Sequence, residues 1–274
     1  MSLKTTRNGQ SFESVTVGGT SVSRLPLGLS YEKIMVPYGG TTFGPANMGE
    51  IRIVANGEVI RRYADATKLD TVNQFDKIGA ASTGKVLVIP FVRNGLITKA
   101  ARDLTILGTG MPRSQSNPNP ITTLALEIDI KSDADAPTLS TPVLHQTFPR
   151  NTGAILKTRQ YFYSPQGAGN FDIADIPKGE LFNRIFFFGA NIDKLTILRD
   201  NFTAFERTKA INERFQVDGK RAPQSGVFVF DPTEEGFGAE GLVTFNVQDL
   251  RFRLEMSGAE DIEVVVETIS ALNV

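Results

Sequence analysis

At 274 residues the chain has room for one large domain or two of ordinary size, and 41% hydrophobic with 22% charged residues is a globular composition, not a disordered one. The 29 basic and 30 acidic residues leave a net charge of −1 with no Lys/Arg block, so direct nucleic-acid binding is not expected. With no cysteine, a disulfide framework and a thiolate zinc site are both excluded.

Residues 1–20 are polar and rich in Ser, Thr and Gly; they read as an N-terminal arm and lack the apolar core of a secretory signal. Strand signals follow at 21–27, 31–36, 51–55 and 58–62. The last two flank Asn56-Gly57, the strongest short hairpin signal, because a type I′ turn needs positive φ at both central residues. A helix is predicted to open after Asp65 as N-cap, with Leu69, Val72 and Phe75 spaced three apart on one apolar face. The run GKVLVIPFV from Gly84 is apolar on both faces, which predicts a strand deep inside a sandwich. A short helical or irregular piece at 98–107 and a surface loop at 108–120 (GTGMPRSQSNPNP) lead into 121–130. There Leu124, Leu126, Ile128 and Ile130 alternate with Ala125, Glu127 and Asp129, the pattern of a half-buried strand. No apolar run reaches the roughly 18 residues that a membrane-spanning helix needs, so a soluble chain is expected.

Residues 131–149 hold Asp133, Asp135, three prolines and the only histidine, with no period, and the domain boundary is placed here: first domain 21–138, second 139–274. The second half replays the first. IRIVANGEVIRRYADATKLDTVNQF at 51–75 returns as LTILRDNFTAFERTKAINERF at 195–215, offset by 195 − 51 = 144 at the turn and 208 − 67 = 141 at the Thr-Lys pairs. Strands are predicted at 154–163, 171–176, 181–188 and 195–198, and a helix at 204–215 behind a capping box from Thr203 to Glu206. Gly226-VFVF matches Gly84-KVLV at 226 − 84 = 142, and Asp249-Leu250 matches Asp103-Leu104 at 249 − 103 = 146. Ile262, Val264 and Val266 parallel Leu124, Leu126 and Ile128, with Glu267 standing for Glu127 at an even offset of 140 that keeps equivalents on one face. Leu126 and Val266 are thereby expected at equivalent core positions. Many short strands with few helices argue for an all-β chain of two tandem sandwiches, and a jelly roll is such a sandwich that accommodates one helix in a connection.

Chemistry is sparse. Gly79-AAST-Gly84-Lys85 fits seven positions of a phosphate-binding P-loop, but Val86 stands where a hydroxyl should hold magnesium, and a helix precedes and a strand follows, the reverse of what a P-loop needs. A Gly-rich turn into a strand is the better reading. His145 is alone and reads as a linker residue, which leaves no catalytic triad or multi-imidazole metal site to assemble. Asp133 and Asp135 are the only candidates for a structural calcium at a subunit contact, yet they lack the spacing of a dedicated calcium loop and a solvated linker is favoured. Arg251 and Arg253, alternating with Phe252 and Leu254, are the wet face of a strand. With no Trp and five Tyr, a stacking carbohydrate site is weakly supported. No catalytic or cofactor-binding residue is assigned and the chain is not expected to be an enzyme.

Taken in order, Leu25-Pro-Leu-Gly28 with Tyr31-Glu32, Phe91-Val-Arg93, Leu107-Gly-Thr109, Ile173-Ala-Asp-Ile-Pro177 and Gln248-Asp-Leu-Arg251 resemble the major capsid proteins of corticoviruses, tailless icosahedral phages with an internal lipid membrane. The match is colinear from about Ser23; residues 1–20 and the 108–120 loop depart from it. The resemblance implies a double jelly roll of two eight-stranded barrels standing upright in the shell, and homotrimers whose six barrels give a pseudo-hexagonal outline. It also implies lattice contacts with itself, contacts with penton and minor capsid proteins and with the internal membrane or its proteins, assembly in the host cytoplasm, and a place in the virion. Near-zero net charge fits many copies packed side by side. The alternative is a two-domain β-sandwich binding module or receptor-binding spike.

Overall fold

The computed structural model describes residues 4–272, which divide into two compact units: one of residues up to Asn94, Lys99–Thr158 and from Ser270, the other of Gly95–Thr98 and Arg159–Ile269. Each is a jelly roll.

In the first unit the strands are β1 (Thr5–Asn8), β2 (Thr20–Arg24), β3 (Ser30–Gly39), β4 (Met48–Ala55), β5 (Glu58–Tyr63), β6 (Val86–Pro90), β7 (Leu124–Ile130), β8 (Thr138–Leu139) and β9 (Val143–Thr147). Helix α1 (Ala66–Phe75) joins β5 to β6, and the short α2 (Lys99–Asp103) lies between β6 and β7. One sheet runs β1-β9-β3-β6, with β8 paired to the end of β3; the other runs β2-β7-β4-β5. Without the two-residue β8, the eight strands in chain order pair as first-eighth-third-sixth and second-seventh-fourth-fifth, which is the wiring of a jelly roll. The alternation read from the sequence fixes the register: Leu126 lies opposite Ile53 and Ile128 opposite Ile51, all fully buried, while Arg52 and Glu127 pair on the outer face at 2.8 Å.

Local signals hold where side chain and backbone act within a few residues. Asn56 (φ 52°) and Gly57 (φ 84°) make the type I′ turn between β4 and β5. The Asp65 carboxylate accepts from the Lys68 amide at 3.0 Å to cap α1, and Leu69, Val72 and Phe75 are buried. Strand β6 is an edge strand rather than a central one; helix α1 covers it, with Asn73 donating to the Val88 carbonyl at 2.7 Å.

The second unit holds the Arg159–Tyr163 part of β10 (Ile155–Tyr163), then β11 (Gly169–Ile173), β12 (Leu181–Phe188), β13 (Ile192–Arg199), β14 (Phe202–Thr208), β15 (Val227–Phe230), β16 (Leu242–Val243), β17 (Leu250–Met256) and β18 (Ile262–Ser270), with helix α3 (Lys209–Asp218) between β14 and β15. Its sheets run β10-β18-β12-β15, with β16 off β12, and β11-β17-β13-β14. The wiring repeats that of the first unit strand for strand. The core joins Ile185, Phe187, Leu195, Ile197, Phe228, Phe252, Leu254 and Val266.

Four expectations need correction. The boundary at 138/139 falls inside the first unit, because β9 is hydrogen-bonded between β1 and β3; its five residues are too short and too polar to announce themselves, and only pairing on both sides makes the strand. Of the expected arm, residues 1–3 lie outside the described residues, Thr5–Asn8 forms β1 against Val143–Gln146, and Thr20 already begins β2. The helix expected at 204–215 begins only at Lys209: through Thr208 the chain pairs with β13, Glu206 pairs with Lys194 instead of closing a capping box, and Thr208 is the N-cap without a side-chain bond. The repeat is also offset differently at its end. β7 corresponds to β17, so Leu126 matches Phe252, which lies opposite Ile197 as Leu126 lies opposite Ile53. Val266, opposite Ile185 in β12, matches Leu144 opposite Ile34 in β3. Asp103-Leu104 closes α2 and has no part in the repeat of Asp249-Leu250.

Candidate assembly surfaces

The residues singled out as candidate chemistry do not converge. Gly84 (φ 72°) and Lys85 (φ 52°) are exposed in the turn between α1 and β6, so helix, turn and strand follow in the order that argues against a P-loop. Asp133 and Asp135 are exposed in the turn before β8, and among the described residues no three His, Cys, Asp or Glu side chains are grouped as a metal site. His145 is in β9, not a linker, with Nδ1 3.3 Å from Glu32 Oε2; burial holds its pKa below the ordinary value against the pull of Glu32. Arg251 and Arg253 do lie on the outer face of β17, where Arg253 makes a bidentate pair with Asp172 at 2.7 and 2.8 Å.

Charges that the sequence reading passed over are the buried ones. Arg184 Nε donates to Glu267 Oε2 at 2.7 Å, with Asn183 on the same oxygen at 3.1 Å. Glu267 is therefore an interior residue, unlike Glu127 on its wet face. Arg221 Nε donates to Asp231 Oδ2 at 2.7 Å, both fully buried, and Arg61 donates to the Pro90 carbonyl at 2.9 Å and the Tyr63 hydroxyl at 2.6 Å. For Arg184 and Glu267 the signal was a charged residue inside a run otherwise apolar, LFNRIFFF and IEVVVETIS; Arg61 and Arg221 carry no such signal.

The second unit carries an open cleft of about 440 Å³ beside β14. Phe205, Phe230, Leu242 and Val243 give it apolar walls, and Glu234 lies within it. Arg207 Nη1 donates to Glu234 Oε1 at 2.6 Å, and its guanidinium is stacked between Phe205 (5.0 Å) and Phe215 (4.2 Å). Burial raises the Glu234 carboxyl above its ordinary pKa, with Arg207 pulling it back.

Exposed apolar side chains are plentiful for a chain with ordinary composition. In the first unit Leu27 and Met111 line a groove of about 680 Å³ with Pro112, Pro120 and Ile121. The 108–120 loop that borders it is pinned from within: Asn117 is buried, donates to the Met111 carbonyl at 2.8 Å and accepts from the Thr152 amide at 3.0 Å. In the second unit Phe162 and Phe202 are more than two-thirds exposed, and Ile211, Phe215, Val217, Phe237 and Phe245 about half. Large side chains held out of two rigid cores mark contact surfaces rather than a reaction site.

Residues 6–142 match the family described as viral coat protein P2 N-terminal domain, and residues 155–272 that described as viral coat protein P2 C-terminal domain. The major capsid protein P2 of Pseudoalteromonas phage PM2 is 24% identical over 267 residues, 95% of this chain and 94% of the relative. The crystal structure of that phage protein aligns with a TM-score of 0.88 at 22% identity over 99% of this chain and 98% of the other. The STIV major capsid protein gives a TM-score of 0.68 at 9% identity over 98% and 97%, and the PBCV-1 virus capsid 0.65 at 9% over 98% and 94%. At these identities the alignments establish a shared fold, two jelly rolls in one chain.

Proposed function

The chain belongs to the viral coat protein P2 family, both of whose domains it matches, and from that premise we propose that three copies close into a trimer of six upright barrels that tiles an icosahedral shell around an internal lipid membrane. It is a capsid protein of a virion, a structural protein and not an enzyme, and it assembles with itself in the capsid lattice. The observation that carries the trimer is the pair of complete but unequal jelly rolls in one chain. A threefold ring is closed by heterologous contacts, in which each subunit offers two different, complementary sides, and two unlike barrels supply them. Colinear likeness to P2 of phage PM2 over nearly the whole chain supports the same reading.

Penton and minor capsid proteins and the membrane or its proteins complete the partners in this reading, and assembly takes place in the host cytoplasm. The genome is not a direct partner: a net charge of −1 without a basic block gives phosphates no surface to bind. Light scattering and negative-stain microscopy of the full chain test the proposal. Three times the chain mass with hexagonal outlines is expected; a monomer at micromolar concentration with no particles would overturn it in favour of a binding module.

A further inference from the structure

Helix α3 is turned inside out relative to its counterpart α1. Both are anchored by an Asn whose side-chain amide donates at 2.7 Å to the strand behind, Asn73 to Val88 O and Asn212 to Val229 O. From that shared anchor α1 buries Leu69, Val72 and Phe75, whereas α3 buries Asn212 and Gln216, the latter also donating to Val229 O at 2.7 Å. Its apolar residues point outward: Ile211, Phe215 and Val217 are 53%, 47% and 51% exposed. Ile211 and Phe215, one turn apart, form an outward apolar stripe; a surface helix ordinarily turns such a stripe to the core, so this one is laid out for something beyond the subunit.

Beside it lies the 440 Å³ cleft, joined to the helix through Arg207, which touches Phe215 on one side and Glu234 on the other. Glu234 is 8% exposed at its side chain, and its second oxygen, Oε2, is buried with no partner among the described residues. A carboxylate oxygen in that position lacks a donor. The charged groups around the cleft are Arg199 and Arg207 against Asp231, Glu234, Glu235 and Glu240, and Asp231 is already held by Arg221. The cleft therefore favours a cation.

We propose that a second copy of this chain docks on this face, burying the outward stripe of α3 and inserting a lysine or arginine side chain into the acidic cleft at Glu234. This rests on the reading of the chain as a self-assembling capsid protein. A small cation would satisfy the carboxylate yet leave the helix uncovered, and an anionic membrane surface would be repelled by the acidic rim. A heterologous contact needs a mate of opposite character, and a chain with 29 basic and 30 acidic residues carries the compensating positive charge elsewhere on its own surface.

The absence of cysteine provides a clean probe, since Ile211→Cys places a single thiol in the full-length chain, on a half-exposed position where the fold tolerates it. Maleimide labelling should be at least about ten-fold slower in the assembled protein than in the dissociated subunit, and Glu234→Gln should weaken assembly by about ten-fold or more while the subunit melts as the parent does. Equal labelling rates in the two states, or unchanged assembly of Glu234→Gln, would overturn the docking face while leaving the capsid reading intact. A parent chain that never associates would overturn both.

Discussion

Asn56 and Asp200 make the same tie in the two barrels. Each opens the type I′ turn that joins the fourth and fifth jelly-roll strands, at φ 52° and 48°. Asn56 Oδ1 accepts from the Thr122 and Thr123 amides at 2.7 and 3.1 Å, and Asp200 Oδ1 accepts from the Gln248 and Asp249 amides at 2.9 Å each. In both cases the turn pins the chain as it enters the seventh strand. The two differ in charge, and the amide of Asp249, with that of Gln248, holds the Asp200 carboxyl below the ordinary carboxylate pKa.

A pH dependence follows for the second barrel. A carboxyl whose folded pKa lies below its unfolded value of about 3.9 contributes stability that is present above that value and lost as pH falls through the folded one. Asp200→Asn should therefore narrow the gap between urea midpoints at pH 7 and pH 3, and Asn56→Asp should widen it. Asn56→Ala, which strands two amides, should cost about 1–2 kcal/mol at either pH. Identical midpoint shifts for parent and Asp200→Asn would show that the tie does not titrate.

The corrected repeat makes Leu126 and Phe252 counterparts in the two cores, both buried opposite an isoleucine. Leu126→Ala and Phe252→Ala should each cost about 2–5 kcal/mol, from lost burial plus the cavity left behind. Arg251→Ala, on the wet side of the same strand, should stay within about 0.5 kcal/mol of the parent. Denaturant titration decides; a cost at Arg251 equal to that at Phe252 would mean that the strand is turned over.

The Arg184–Glu267 pair lies between β12 and β18 with both side chains out of water. Glu267→Ala should destabilise by about 3–5 kcal/mol, because the buried guanidinium loses the carboxylate that its Nε donates to. Replacing both partners with Met and Leu should recover most of that loss, since no charge remains to be desolvated. Thermal melts of the single and double variants give the comparison, and a double variant as unstable as the single one would locate the effect in packing.

For Lys85, calorimetric titration with ATP and magnesium should give no binding heat, and Lys85→Ala should melt with the parent. The exposed turn puts the residue after a helix and before a strand, where no helix N-terminus waits for a phosphate. Measurable affinity that disappears in the variant would reverse this.

The hairpins at Asn56-Gly57 and Asp200-Asn201, the capped α1 and the alternation of 124–130 were legible in the sequence, because each is dictated by interactions within one turn or one strand. So was the duplication, carried by the two turns. Colinear resemblance rather than physics supplied the family, and no physical reading of single residues would have reached it. Strand β9 and the start of α3 were decided by tertiary structure: the first exists because β1 and β3 pair with it on both sides, the second is delayed because β13 holds the chain extended to Thr208. The counterpart of Leu126 was misassigned for a related reason, since a period of two marks every strand of a sheet and only the pairing partner says which strand it is. The outward stripe of α3 and the unpaired oxygen of Glu234 lie furthest from the sequence. Both depend on which face of a helix and which side of a carboxylate the fold happens to cover, and that is a property of packing in three dimensions.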